Sequence, residues 1–507
     1  MILIILADLA VAIDHVLECV PIRRPKRLLL APRKLTLLVA AISSWLGTAP
    51  IVKSQVAPTA SPASSAPAEL PPDLRTYRDG EDWPIFLGPR QDGTSREQGL
   101  YLAWDQAPPT IRWQVELGTG YGICSVSRGR CFQFDRTGEE ARLRAFNSET
   151  GTELWSYTYP SDYEDAYRYD NGPRTSPVVD GDRVYVFGAE GELHCVNVED
   201  GRRRWHIDTA EHFGVVQNFF GVGSTPVVDG DLLIVMVGGS PDGQRGRFGP
   251  DQLDRVKGNG SGIVAFDKIN GKVRYSITDQ LASYASLRVA TWQNRRWCFA
   301  FARGGLVVFH PQQGRVDFEF PWRASSLESV NASVPIVVDN QVLISETYGP
   351  GTCLLQFDQQ PPQVIWQDGQ ARRSKSLQTH WNTGVYHDGF VYASSGRHEG
   401  NAELRCVEWK TGKVRWSQPE MRRCSLLLVE DRLICLSEDG TLYLLRANPE
   451  AYEQIARFAP TRTDAVVPSE LRLLRRPAWA APIIAEGLLY VRGADRLVCF
   501  DLRRPPP

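Results

Sequence analysis

The stretch SPVVDGDRVYVFGAEGELHCVNVEDGRRRW, Ser176 to Trp205, decides how the rest of the chain is read. Apolar residues alternate through four short runs. The breaks fall at Asp180-Gly181, Ala189-Glu190-Gly191 and Asp200-Gly201, residue types that hairpin turns use where φ is positive. The stretch therefore reads as one four-stranded antiparallel sheet. A sheet of that size has two faces to cover and becomes stable by stacking on copies of itself.

Copies lie on both sides of it. The series Cys195, Asn197, Gly201, Trp205 recurs as Ala145, Asn147, Gly151, Trp155, as Ala265, Asp267, Gly271, Tyr275, and as Cys406, Glu408, Gly412, Trp416. Weaker versions end at Phe318 and Trp366. The opening SPVVDG returns as TPVVDG at Thr225, VPIVVDN at Val334 and APIIAEG at Ala481. This pattern resembles the PQQ-like β-propeller repeat, the quinoprotein type, marked by a small residue, an acidic residue or Asn, a turn glycine and a closing Trp. In that family the Trp packs on the neighbouring blade, which suits a large flat ring between two twisted sheets.

Counting closing aromatics gives Trp113, Trp155, Trp205, Tyr275, Phe318, Trp366, Trp416 and, in degenerate form, Phe458, spaced 42 to 50 residues apart except for one interval of 70. The last unit, Ala481 to Asp501, has material for three strands. The lone strand Ile111 to Val115 supplies its fourth. The expected fold is all-β, an eight-bladed propeller closed by pairing of its N- and C-terminal strands, which leaves no free sheet edge.

The chain has 507 residues and a net charge of −2, with no basic stripe, so nucleic acid is excluded as a partner. A monomer is expected. Residues 1–49 read as a signal peptide or N-terminal anchor: a basic region from Arg23 to Lys34 precedes the apolar run Leu35 to Leu46 and then small residues. Export to the periplasm or beyond follows, with an uncleaved anchor as the membrane-attached alternative. Residues 50–81 are a Pro/Ala/Ser-rich linker, and residues 82–507 are the propeller. The propeller opens with DWPIFLGPRQDGTS, Asp82 to Ser95, which resembles the lead-in of secreted PQQ-like propellers and is expected to pack Trp83 and Phe86 on a blade.

Ten cysteines in an exported chain raise the question of disulfides. Cys195, Cys406 and Cys499 occupy the small-residue slot filled by Ala145 and Ala265 elsewhere and read as buried thiols. Cys298 and Cys435, in second strands, read the same way. Cys124 and Cys131, flanking Arg128-Gly129, are the local pair near enough to consider.

In a four-stranded blade the first and last turns fall on one face of the ring, and here these turns are short and generic. The opposite face carries long, individual loops. They include Tyr157 to Asn171, QNFFGVGS from Gln217, Gly239 to Gly262, ESVNAS from Glu328, SETYGPG from Ser345, THWNTG from Thr379 and SSGRHEG from Ser394. Loops displayed by a rigid scaffold are where binding residues gather. The candidates around the central mouth are Asn171, Arg174, Asn218, Asn331, Glu346, His380, Trp381, Asn382, Arg397 and His398.

Two functions follow from the resemblance. One is a non-enzymatic scaffold, similar to the propeller lipoprotein of outer-membrane β-barrel assembly, that binds a protein, peptide or glycan on the loop face and needs no cofactor. The lipid-attachment Cys of that protein is missing here. The other is a quinoprotein dehydrogenase oxidising alcohols or sugars with PQQ and Ca²⁺, in which Glu346 with Asn331 or Asn382 would stand for metal ligands and Trp381 would stack on the cofactor. The vicinal Cys pair of those enzymes is absent from this sequence, and no Asp stands out as base.

Overall fold

A computed structural model describes residues 70–371, 374–462 and 471–503. The signal or anchor region 1–49 and most of the linker lie outside the described residues. Among those described, the helical segments include Thr209–His212 and the short 3₁₀ turns Pro250–Arg255, Glu399–Asn401 and Pro419–Met421, and no helix is long and apolar enough to cross a membrane.

The described chain forms eight antiparallel sheets of four strands each, one of which gains a short fifth strand. Blade 1 runs Ser125–Ser127, Arg130–Thr137, Glu140–Asn147 and Glu153–Pro160. Blade 2, the stretch quoted first, runs Val178–Asp180, Arg183–Phe187, Glu192–Asn197 and Arg203–Asp208. Blades 3 to 7 begin at Val227, Arg288, Ile336, Val385 and Cys424. Blade 8 takes Ile483–Ala485, Leu488–Arg492 and Arg496–Asp501 from the end of the chain and Thr110–Glu116 from its beginning. Thr110 pairs with Asp501 and Glu116 with Arg496, so the ring closes as expected.

The repeat motif has a packing cause. The small residue of strand three lies directly across the ladder from the closing aromatic of strand four: Ala145 faces Trp155, Cys195 faces Trp205, Cys406 faces Trp416 and Cys499 faces Trp113. A bulge beside each pair tips the aromatic outward. Its ring then lies on the turn glycine of the next blade. A Cβ at Gly151, Gly201, Gly271 or Gly412 would come within 2.5 to 3.0 Å of Trp113, Trp155, Trp205 or Trp366. The indole N–H of Trp113, Trp155 and Trp366 donates to a backbone carbonyl in the same turn, of Ser148, Val198 and Trp409, at 2.8 to 2.9 Å.

Blade 7 departs from the pattern. Ala456, not Phe458, stands at the closing position, across from Leu444. The neighbouring blade 8 is completed by the N-terminal strand and has no turn there for an indole to cover. Trp104 from the incoming chain meets Phe458 edge-on at 5.5 Å instead.

The lead-in does more than pack on a blade. It crosses the axial channel on the turn side of the ring. Trp83 exchanges backbone hydrogen bonds with Val126 of blade 1, Pro84 accepts from Val179 of blade 2, Gln91 accepts through its side chain from Val289 of blade 4, and Gly93 accepts from Leu428 of blade 7. Thr94–Ser95 adds the parallel fifth strand to blade 7. Trp83 is 1% exposed, and Gly88, at φ +81°, leaves room for its ring.

The nine described cysteines are free and buried. Cys124 and Cys131 are in contact without being bonded, and Cys424 and Cys435 make the same diagonal contact across the first two strands of blade 7, a second pair that the spacing did not single out.

Candidate functional site

The first strand of every blade runs down the channel wall toward its turn. Counting back six residues from the last residue of each first strand reaches a side of one cavity, of about 630 Å³, that opens on the loop face. Phe86 and Leu87 of the lead-in line its inner end. Blades 6, 7, 8, 1 and 2 place Trp381, Arg423, Trp479, Tyr121 and Arg174 at this position. Blades 3, 4 and 5 place Gly223, Ser286 and Ala332 there. The wall is therefore bulky on one arc and built from small residues on the other, where the Tyr284 ring lies against Gly223.

The bulky arc is stacked throughout. The Arg423 guanidinium lies 4.6 Å from the Trp381 ring centre and 5.2 Å from that of Trp479. Trp381 and Trp479 are 4.5 Å apart, Tyr121 is 4.8 Å from Trp479, and Arg174 lies 5.7 Å from Tyr121. Such contacts favour a delocalised cation over an ammonium. Glu438, fully buried, receives hydrogen bonds from Arg423 at 2.6 Å and from the Trp479 N–H at 3.0 Å on the same oxygen. Its other oxygen has no partner among the described residues, and neither has the Trp381 N–H. Arg174 pairs with the buried Asp165 and donates to the carbonyls of Gly172 and Asp170.

Over the small-residue arc, Phe220, Tyr284 and Tyr348 form the opposite rim. His380 accepts from or donates to the Tyr348 hydroxyl at 3.1 Å. Burial, reinforced by Arg423, Arg397 and His398, pushes His380 down to about 3, so its imidazole is neutral. Burial and the same two arginines also lower His398. Arg397 is exposed, lies 4.4 Å over the Tyr348 ring, and has no carboxylate within ion-pair distance among the described residues.

Of the ten residues singled out in the sequence, Arg174, His380, Trp381, Asn382, Arg397 and His398 meet at this cavity. Asn382 anchors its edge by donating to the Cys424 carbonyl at 2.8 Å. The other four do not line it. Asn171 accepts from the Asp165 backbone, and Asn218 donates to the Ala282 carbonyl. Asn331, 1% exposed, donates to the carbonyls of Ala302 and Trp322. Glu346 closes its own loop by accepting from the backbone of Tyr348 and Gly349, both at 2.8 Å, and burial raises its pKa. Glu346, Asn331 and Asn382 thus point to separate backbone partners and form no joint calcium ligand set. Among the described residues no three His, Cys, Asp or Glu side chains converge as metal ligands.

Tyr121, Arg423, Glu438 and Trp479 were not singled out in the sequence. The signal that finds them is the repeat itself, read inward: a fixed count back from each first turn.

Eight four-stranded blades, indole-on-glycine interfaces and an aromatic axial cavity define a PQQ-like propeller. Within that class, the chain belongs to the family described as outer membrane protein assembly factor BamB, whose family model matches residues 94–243 and 139–418. No curated protein matches the chain in sequence. BamB from Moraxella catarrhalis shares the fold with a TM-score of 0.52 at 13% identity, over 78% of this chain and 99% of that one. Quinohemoprotein alcohol dehydrogenase from Comamonas testosteroni does so with a TM-score of 0.57 at 11% identity, over 85% of this chain and 82% of that one. At such identities the likeness is one of fold.

Proposed function

We propose that the protein is an exported, non-catalytic binding module that holds part of a protein, peptide or glycan partner in the axial mouth on its loop face. The observation that carries this reading is the division of one ring of equivalent positions into a stacked Trp–Arg–Trp–Tyr–Arg arc and a small-residue Gly–Ser–Ala arc. Part of that unevenness is packing, since a Cβ at Gly223 would come within 2.8 Å of the Tyr284 ring and Ser286 accepts from the Thr225 N–H, but the space between the two arcs is left open as a cavity. Concave, largely apolar sites with a few placed polar groups are how proteins bind small ligands or parts of larger ones. Membership of a family described as an assembly factor supports a protein partner in the general sense. The reading calls for no cofactor: Glu346 closes its own loop, and Asn331 and Asn382 donate through their amide nitrogens to carbonyls in separate places, although the Asn331 amide oxygen is buried without a partner among the described residues.

The test is a thermal-shift screen of the purified protein against peptides, oligosaccharides, and PQQ with Ca²⁺, run in parallel on Trp479→Ala. A ligand that raises the melting temperature of the wild type and not of the variant supports the reading. Dye-linked oxidation of an alcohol or sugar after addition of PQQ and Ca²⁺ overturns it in favour of a dehydrogenase.

A further inference from the structure

We propose that the mouth takes an acidic oligosaccharide, with a sugar ring stacked on the Trp381–Trp479–Tyr121 wall above Gly223, Ser286 and Ala332 and a carboxylate on Arg397. The proposal rests on the binding reading above and gives it a ligand class. Three features of the cavity lead to it.

The first is shape. Successive rings of the wall are inclined to one another, Trp381 to Trp479 by 43°, Tyr121 to Trp479 by 49° and His380 to Trp381 by 57°. They follow the curve of the channel and offer no two parallel faces. A flat aromatic ligand needs a slot, whereas this concave wedge fits a thick, puckered ring whose C–H groups pack on indole and phenol faces.

The second is hydrogen bonding. Glu438 and Trp381 line the cavity, and each keeps one buried polar atom without a partner: a carboxylate oxygen that only accepts and an N–H that only donates. Leaving such groups unpaired costs about 1–3 kcal/mol each. A hydroxyl both donates and accepts, so sugar hydroxyls have the chemistry to answer either need.

The third is charge. The cavity is lined by Arg174, Arg397, Arg423 and Arg476 against Asp165, Glu399 and Glu438, which is four cations to three carboxylates and one positive charge in excess. Each carboxylate is already paired, Asp165 with Arg174, Glu438 with Arg423, and Glu399 with both Arg476 and Arg422, the last outside the cavity lining. The excess falls on Arg397, at the rim and held flat on Tyr348. A guanidinium presented in this way is suited to a carboxylate.

The experiment is calorimetric titration of the purified protein at low salt with trigalacturonate, the neutral trisaccharide maltotriose, naphthalene-2,6-dicarboxylate as a flat diacid, and a pentapeptide with a free C-terminus. Trigalacturonate is expected to bind at least tenfold more tightly than maltotriose. Arg397→Gln, at an exposed side chain, is expected to bring the acidic sugar down to the neutral one. Ala332→Trp, which fills the small-residue arc, is expected to abolish both. Equal affinity for the two sugars, or no change in Arg397→Gln, overturns the assignment of the carboxylate. Binding of the peptide or the diacid without the sugars overturns the sugar while leaving the binding module intact. Failure of every probe here and in the thermal-shift screen removes both.

Discussion

The outer rim and the inner mouth are built from the same eight repeats and have opposite characters. At the rim, four of the eight blade interfaces use one solution, an indole on a neighbour's turn glycine, and a fifth, at Gly314, uses Tyr275 in the same way. At the mouth, the equivalent ring positions hold Trp, Arg, Trp, Tyr, Arg, Gly, Ser and Ala. A side chain pressed between two sheets answers to the shape of both, and close packing leaves few alternatives. At the mouth each position answers to a different neighbour, to its stacked companions on the bulky arc and to the Tyr284 ring at Gly223. Uniformity in a repeat therefore marks shared packing, and divergence at a fixed repeat position marks where the blades cease to be equivalent.

The harshest way to break this contrast is to remove what joins rim to axis. A chain shortened to begin at Thr119 loses the lead-in that fills the channel, the outer strand of blade 8, and Trp113. Loss of a large core aromatic alone costs roughly 3–5 kcal/mol, against a total stability of about 5–15 kcal/mol. The shortened chain is expected to aggregate, while one beginning at Leu70 gives a single sharp melting transition. Equal melting temperatures would mean that blade 8 is stable with three strands.

A paired substitution sharpens the contrast. Trp205→Ala at the rim is expected to lower stability by about 3–5 kcal/mol, read as a shift of the urea midpoint. Trp479→Ala at the half-buried mouth is expected to cost less than half as much and to abolish ligand-induced stabilisation. If Trp479 proved the costlier loss, the mouth would be a packing site after all.

A smaller effect is expected with pH at the seam between blades 8 and 1. Glu486, fully buried, accepts from the Gly129 N–H at 2.8 Å and the Ser148 hydroxyl at 2.7 Å. Burial raises its pKa from 4.5 to about 7. A carboxyl raised on folding favours the native state while protonated, so its contribution is full below about pH 4.5 and is lost as the pH rises through 7. The melting temperature of Glu486→Gln should therefore fall less than that of the wild type between pH 5 and pH 8. Parallel curves would place the titration elsewhere.

The gentlest test is at the small-residue slot. Cys195→Ala and Cys406→Ala are expected to cost about 1 kcal/mol or less, since Ala fills the slot in other blades and little volume is lost. Alkylating reagents should leave both thiols of the native protein unlabelled.

The fold was legible because packing writes it repeatedly. Ala145, Cys195 and Cys406 are small for one reason, the aromatic across the ladder, and that reason recurs every blade. Blade 7 was misread at Phe458 because its neighbour lacks the turn that would demand an indole, so nothing held the motif in place. The site was only half legible. His380, Trp381, Arg397 and His398 stood out because their loops are long and rich in polar and aromatic residues. Trp479 and Arg423 lie in plain-looking connections and become visible only when counted from the turn. Asn331 and Glu346 looked like ligand groups, yet their loops needed them for backbone carbonyls and N–H groups. Sequence alone does not separate an amide that holds a loop from one that meets a partner.

The lead-in changes what kind of object the ring is. With Phe86 and Leu87 across its inner end, the channel is a cup and not a tube. A polymer cannot be threaded through a cup, and a ligand must leave by the way it came. If the mouth binds as proposed, it would read the end of a chain or a short branch and be blind to the interior of a long one. On that proposal a long strand with no free terminus would pass over the mouth unrecognised, and each cut made in it by another agent would create new ends for the mouth to hold.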